Sequence, residues 1–193
     1  MGYALAKVAW LMGAEVTLIS GPVALKPLPF YRFIPVVTAA EMAEAVLAEA
    51  SDAHIIIKAA AVADYTPIDK SSQKLKKQAE DLTIVCQRTT DILAALGKIK
   101  NEHQVLIGFA AETQELLANA NEKLKRKQAD LIVANDVLQS GAGFGSDTNI
   151  VTLLFADGKV QALEQMPKEE VAKEILQFAV KLLQQKLGIN SIE

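Results

Sequence analysis

His54-Ile55-Ile56-Ile57-Lys58-Ala59-Ala60-Ala61 is the stretch that decides the fold. Three successive β-branched residues favour an extended backbone, and a continuous apolar run without polar alternation is the pattern of a parallel strand covered on both faces. The flanking elements alternate in the same sense. Upstream, Ala4, Leu5, Val8, Leu11 and Met12 recur at helical spacing before Gly13, a glycine C-cap. Glu15 to Ser20 reads as a strand closed by Gly21-Pro22, and a Pro-rich loop leads to a second apolar run at Phe33 to Val37. Thr38-Ala39-Ala40-Glu41 has the spacing of a capping box and starts a helix to about Ala50.

Downstream, the apolar-alternating run Leu82 to Gln87 is a strand candidate, Thr90-Asp91 a cap for a helix to Lys100, and Val105 to Phe109 another buried strand. A helix from about Thr113 to Lys127, a strand from Leu131 to Ala134 and a glycine-rich loop (SGAGFGSDTN) follow. Ile150 to Phe155 and Val160 to Leu163 flank Asp157-Gly158 as a hairpin. Pro167, at a first helical position, opens a last helix ending near Leu187 before Gly188. The expected class is α/β: a Rossmann-like, doubly wound, mainly parallel sheet with helices on both faces and a C-terminal β-hairpin. Such sheets bind ligands outside the carboxyl ends of their strands.

A chain of 193 residues fits one domain with a real core, and half of its residues are apolar. The single cysteine, Cys86, excludes an internal disulfide and is expected as a buried structural thiol. No apolar stretch approaches the roughly 20 residues of a membrane span, and the first residues lack a secretory signal pattern, so a soluble, cytoplasmic protein without a membrane partner is expected. A net charge of −3 argues against non-specific nucleic-acid binding, so basic clusters must be local anion sites or solvated faces.

Two such clusters exist. Lys70, Lys74, Lys76 and Lys77 follow Asp64 and Tyr65 in the least regular stretch, where a basic flap and a solvated loop both fit. Lys123 and Lys127 share a helix face, with Lys125 and Arg126 beside them. Together these groups suit a ligand carrying several phosphates. Gly108-Phe109-Ala110-Ala111-Glu112-Thr113 offers small residues for close backbone approach and a ring beside them, although Phe109 serves packing equally well. Ala134-Asn135-Asp136 ends a strand with groups able to bond a substrate or cap a turn. His54 and His103 lack the neighbours of a general base; no metal-ligand spacing and no G-x-G-x-x-G or G-x-x-x-x-G-K-[ST] motif occurs.

Six blocks carry a resemblance across nearly the whole chain: GAEVTLISGP (13–22), AAVADY (60–65), LKK preceded by Lys74, GFAAET (108–113), ANDV (134–137) and GFGSDTN (143–149). In this order and spacing they resemble the phosphopantothenate–cysteine ligase domain of bacterial bifunctional coenzyme A enzymes. The resemblance implies one domain over residues 1–193 that condenses 4′-phosphopantothenate with L-cysteine. CTP activates the carboxylate as an acyl-cytidylate, with Mg²⁺ on the nucleotide and no other metal site.

It implies Lys74 as the catalytic flap lysine and Asp64, Phe109, Lys123 and Lys127 as nucleotide contacts. The backbone of Lys58, Ala59 and Ala60 and the turn Thr90, Asp91, Ile92 and Leu93 should border the nucleotide. It also implies a homodimer, and a flavin-dependent decarboxylase domain upstream or on a separate chain. The family's Asn-x-Ser-Ser-Gly-Lys-Met-Gly pattern is represented only by Met1-Gly2. The expectation is therefore an amino-terminally truncated domain, with Glu15 to Ser20 and His54 to Ala61 either separated by a gap or closed on each other. The alternatives are an inactive nucleotide-binding module that associates with another chain, and a nicotinamide-dependent oxidoreductase.

Overall fold

A computed structural model describes residues 1–69, 71, 73–76, 81–111, 116–135 and 146–189. Its chain order is α1 (Gly2–Leu11), β1 (Thr17–Ser20), β2 (Arg32–Pro35), α2 (Ala39–Glu49), β3 (Ile55–Lys58), β4 (Tyr65–Pro67), β5 (Cys86–Arg88), α3 (Ile92–Ile99), β6 (Val105–Ala111), α4 (Leu116–Lys127), β7 (Leu131–Asn135), β8 (Thr148–Phe155), β9 (Val160–Pro167) and α5 (Lys168–Lys186). The main sheet has the order β3-β6-β7-β8-β9. β3, β6 and β7 are mutually parallel and the last two pairings are antiparallel, so β8 alone runs against the rest.

Side-chain alternation along the strands sorts the core into two layers. On one face Val105, Ile107, Leu131, Val133 and Leu153 meet α1 and α5 through Leu5, Val8, Val171 and Ile175. On the other, Leu106, Ile132 and Leu154 meet α2, α3 and α4 through Met42, Leu93, Leu96 and Leu124. Helices on both faces of one sheet is the architecture expected for alternating strands and helices.

Local hydrogen-bonding chemistry sets the boundaries. Thr38 and Glu41 form the expected capping box: the Glu41 N–H donates to Thr38 Oγ1 at 3.1 Å, and the Thr38 N–H donates to the Glu41 carboxylate at 3.3 Å. Gly13 takes φ +89° just beyond α1, where a side chain would be strained. The Asp157-Gly158 turn joins two eight-residue arms, longer than the apolar runs indicated, with a bulge between Asn149 and Val151. Pro167 ends β9 and stands at the N-cap of α5, one position before the first helical residue.

Two expectations need correction. HIIIKAAA is a strand only over Ile55–Lys58 and is half-buried, because among the described residues β3 is an edge strand bonded to β6 alone; the doubly covered strand is β6, whose Val105, Leu106 and Ile107 are fully buried. Cys86 is exposed: β4 and β5 form a separate two-stranded antiparallel ribbon, and Leu82, Ile84 and Val85 before it are also exposed. Of the two arrangements expected for the first strand and β3, the gap is the one found: β1 and β2 pair with each other in parallel and not with β3.

At the amino edge of the sheet, Asp130 ties the start of β7 to three other elements. It accepts hydrogen bonds from Lys100 Nζ at 2.7 Å, Lys186 Nζ at 2.9 Å and the Leu106 N–H at 2.8 Å. No helix among the described residues is long and apolar enough to cross a membrane.

Candidate functional site

β3 delivers Lys58 to the carboxyl edge of the sheet, in register with Gly108 of β6. The chain then turns through Ala59 and Ala60 to Asp64, and this turn is held down. The Thr89 N–H donates to the Asp64 carbonyl at 2.9 Å, and Thr89 Oγ1 donates to the Ala63 carbonyl at 2.6 Å. The same anchor places Thr90 and Asp91 beside it. Asp91 caps α3, accepting the Ala94 N–H on Oδ1 at 3.1 Å. Its second carboxylate oxygen pairs with the ammonium of Lys127, the last residue of α4.

Lys58, Asp64, Asp91 and Lys127, drawn from four elements, thus form one charged group at the edge where an open α/β sheet takes its ligand. Burial lowers the Lys58 ammonium below the ordinary lysine value; Asp64 opposes that shift and Lys127 adds to it. Burial likewise lowers Lys127, again against Asp64. Lys123, one turn earlier on α4, is half-buried and lowered by burial and then by Arg126. Burial leaves these ammonium groups short of water, a deficit that a nearby anion would make good.

Gly97 sets how closely α4 approaches α3. A Cβ at this position would overlap the Lys127 carbonyl, so only glycine lets the end of α4 rest on the middle of α3. Gly108 has a different explanation from the one expected. The space its side chain would fill is taken by Leu93 and Ile132, so the glycine serves packing and not ligand approach.

Residues 1–183 match the family model for the DNA/pantothenate metabolism flavoprotein C-terminal domain. The chain belongs to this family. It is 53% identical over 186 residues to the coenzyme A biosynthesis bifunctional protein CoaBC of Bacillus subtilis (strain 168), covering 96% of this chain and 46% of that protein. A cysteine/cysteine sulfinic acid decarboxylase from an unknown prokaryotic organism is 44% identical over 184 residues, covering 95% of this chain and 51% of that one. Among solved structures, the crystal structure of the C-terminal domain of CoaBC superposes with a TM-score of 0.79 at 44% identity, over 95% of this chain and 84% of that one. The chain spans about half the length of the curated relatives it matches.

In this flavoprotein C-terminal domain the remaining candidates divide by face. Phe109 and Ala59 pack partly buried against the α1/α5 layer, across the sheet from Lys127. Ile92 and Leu93 bury their side chains in the opposite layer, leaving only the first-turn backbone of α3 to face a ligand. Lys74 lies exposed beyond β4, and no hydrogen bond or ion pair of the described residues joins it to the charged group. Asn135 Oδ1, at the carboxyl end of β7, is buried and has no partner among the described residues. His103 pairs with Glu102 on the surface at 3.5 Å. Lys70, Ser72, Lys77, Glu112, Thr113, Asp136 and 140–145 lie outside the described residues.

Gly97 was not singled out from the sequence, where a helix-interior glycine signals only lost propensity. The Asp91–Lys127 pair was equally invisible, being 36 positions apart with no local pattern.

Proposed function

We propose that this domain condenses 4′-phosphopantothenate with L-cysteine in coenzyme A biosynthesis, using CTP and passing through an acyl-cytidylate. The observation that carries this reading is the Lys58–Asp64–Asp91–Lys127 group at the carboxyl edge, in a chain 53% identical to a coenzyme A biosynthesis protein.

The substrate carboxylate attacks the α-phosphorus of CTP and pyrophosphate leaves. The cysteine amine then attacks the acyl carbon and CMP leaves. Neither step needs a nucleophile from the protein, but the first concentrates negative charge that cations must offset. Lys123 and Lys127 hold the phosphates, Lys74 stabilises the charge that develops at phosphorus, and Asp64 accepts from a ribose or base donor. Phe109 borders the base. Among the described residues no group of three or more His, Cys, Asp and Glu is placed to hold a metal. Mg²⁺ belongs with the triphosphate, as is usual for an ion that keeps its waters and needs few protein ligands. The working form is a cytoplasmic homodimer acting with a decarboxylase domain.

A second reading, a nucleotide-binding module completed by another chain, is favoured by the edges of β1 and β3 that pair with no strand among the described residues. Native mass and activity separate the two. CTP-dependent pyrophosphate release that requires 4′-phosphopantothenate, followed by amide formation on adding cysteine, supports the ligase. Release indifferent to 4′-phosphopantothenate, or no CTP binding, refutes it.

A further inference from the structure

Lys127 reaches a place where its charge is poorly served by the backbone. It leaves the carboxyl end of α4, whose dipole favours a cation, and carries its ammonium to the amino end of α3, whose dipole disfavours one. Its side chain is only 14% exposed there, so water does not supply the counterion, whereas Asp91 is 53% exposed. A flexible lysine remains in such a position only if something holds it.

α3 holds it twice. Gly97 gives the Lys127 backbone its resting place, and Asp91, six residues earlier on the same element, receives the ammonium. The two oxygens of Asp91 divide the work: Oδ1 caps the helix and Oδ2 takes Lys127. Lys58 repels Lys127 and Asp64 attracts it, so without Asp91 the ammonium would move toward Asp64.

We propose that Asp91 is a positioning residue which, together with Gly97, presents the Lys127 ammonium to the phosphates of the nucleotide. This rests on the nucleotide reading above, and the test separates the two. Asparagine caps helices as well as aspartate, so Asp91→Asn removes the ion pair and keeps the cap. Calorimetric titrations with CTP, and with inorganic tripolyphosphate, are made on the parent, Lys127→Met, Asp91→Asn and the double variant at low ionic strength.

Lys127→Met should weaken binding roughly 10- to 100-fold, as expected for a lost charge-assisted bond. Asp91→Asn should weaken it roughly 2- to 5-fold, as expected for a partly exposed pair, with no loss of thermal stability. In the Lys127→Met background the sign should change. There Asp91 acts only as a negative charge beside a polyanion, and its removal should leave binding unchanged or tighten it. Gly97→Ala should likewise weaken tripolyphosphate binding only while Lys127 is present.

Equal weakening by Asp91→Asn with and without Lys127 overturns the proposal and leaves the nucleotide reading standing, as does no weakening in the parent. Unchanged binding in Lys127→Met overturns both.

Discussion

Replacing Asp130 by asparagine should cost the domain more stability than any other single charge change among its described ion pairs. The carboxylate faces two lysines, Lys100 at 2.7 Å and Lys186 at 2.9 Å, and also accepts the Leu106 N–H at 2.8 Å. Side-chain exposures are 13% for Asp130, 14% for Lys100 and 24% for Lys186. Asparagine keeps an acceptor for the backbone but leaves both ammonium groups without a counter-charge. Breaking a buried pair by removing one partner costs about 3–5 kcal/mol. Lys186 retains some access to water and can swing outward, which reduces the expected loss to about 2–4 kcal/mol. At about 2–4 °C per kcal/mol for a domain of this size, the melting temperature should fall by about 5–15 °C. Urea denaturation at neutral pH measures the loss, and Asp130→Asn/Lys186→Met should recover part of it. A loss below about 1 kcal/mol with an unchanged m-value would refute the view that this cluster locks α3, β6, β7 and α5 together.

Lys74→Ala should slow acyl-cytidylate formation by about 10²–10³-fold while changing CTP affinity little; an unchanged single-turnover rate would remove Lys74 from the chemistry. Lys123→Ala should weaken CTP binding by about 1.5–3 kcal/mol, and by less as salt is raised; titrations that overlay the parent at low ionic strength would exclude it from the phosphate site. Lys58, Lys123 and Lys127 are all lowered from the ordinary value of 10.5, with burial the largest cause in each. A polyanion favours their protonated forms, so CTP binding should take up protons in the alkaline range and weaken as pH rises through the lowered values toward 10.5. Calorimetry in buffers of different ionisation enthalpy tests this, and flat affinity with no proton uptake across that window would contradict it.

The parts of the fold that were legible in the sequence are those fixed by bonds between near neighbours. The Thr38–Glu41 box and the Asp91 cap each close within four residues, and both stand where the pattern put them. What failed depended on distant partners. An apolar run shows which residues avoid water, but not whether a strand ends at the centre or the edge of its sheet; HIIIKAAA went to the edge and Val105–Ile107 to the centre. Alternation over Leu82 to Gln87 indicated a strand that the structure places only at Cys86–Arg88, and burial needs a covering layer, which a two-stranded ribbon lacks. Gly108 suggested open space, which Leu93 fills from 15 positions away.

The residue types of the candidate site were legible in the sequence and their arrangement was not, and the arrangement changes what the lysines mean. Taken alone, Lys123 and Lys127, with Lys125 and Arg126 beside them, suggest a local anion site or a solvated face, and Lys58 offers only its backbone. In the structure Lys58 and Lys127 stand among Asp64 and Asp91, so these four groups balance before any ligand arrives. Burial pushes both ammonium groups toward deprotonation and Asp64 pulls them back, keeping the charge available. A balanced group attracts a single phosphate weakly, because Asp64 and Asp91 offset the lysine charges it would meet while Lys127 keeps its contact with Asp91. A triphosphate can satisfy Lys123 and the two balanced lysines at once, and repulsion from Asp64 and Asp91 is relieved if the ligand also brings a cation or a hydroxyl to them. Inorganic phosphate should therefore compete with CTP far less well than tripolyphosphate does. Equal competition by the two in the same titration would show that the carboxylates do not tune the site.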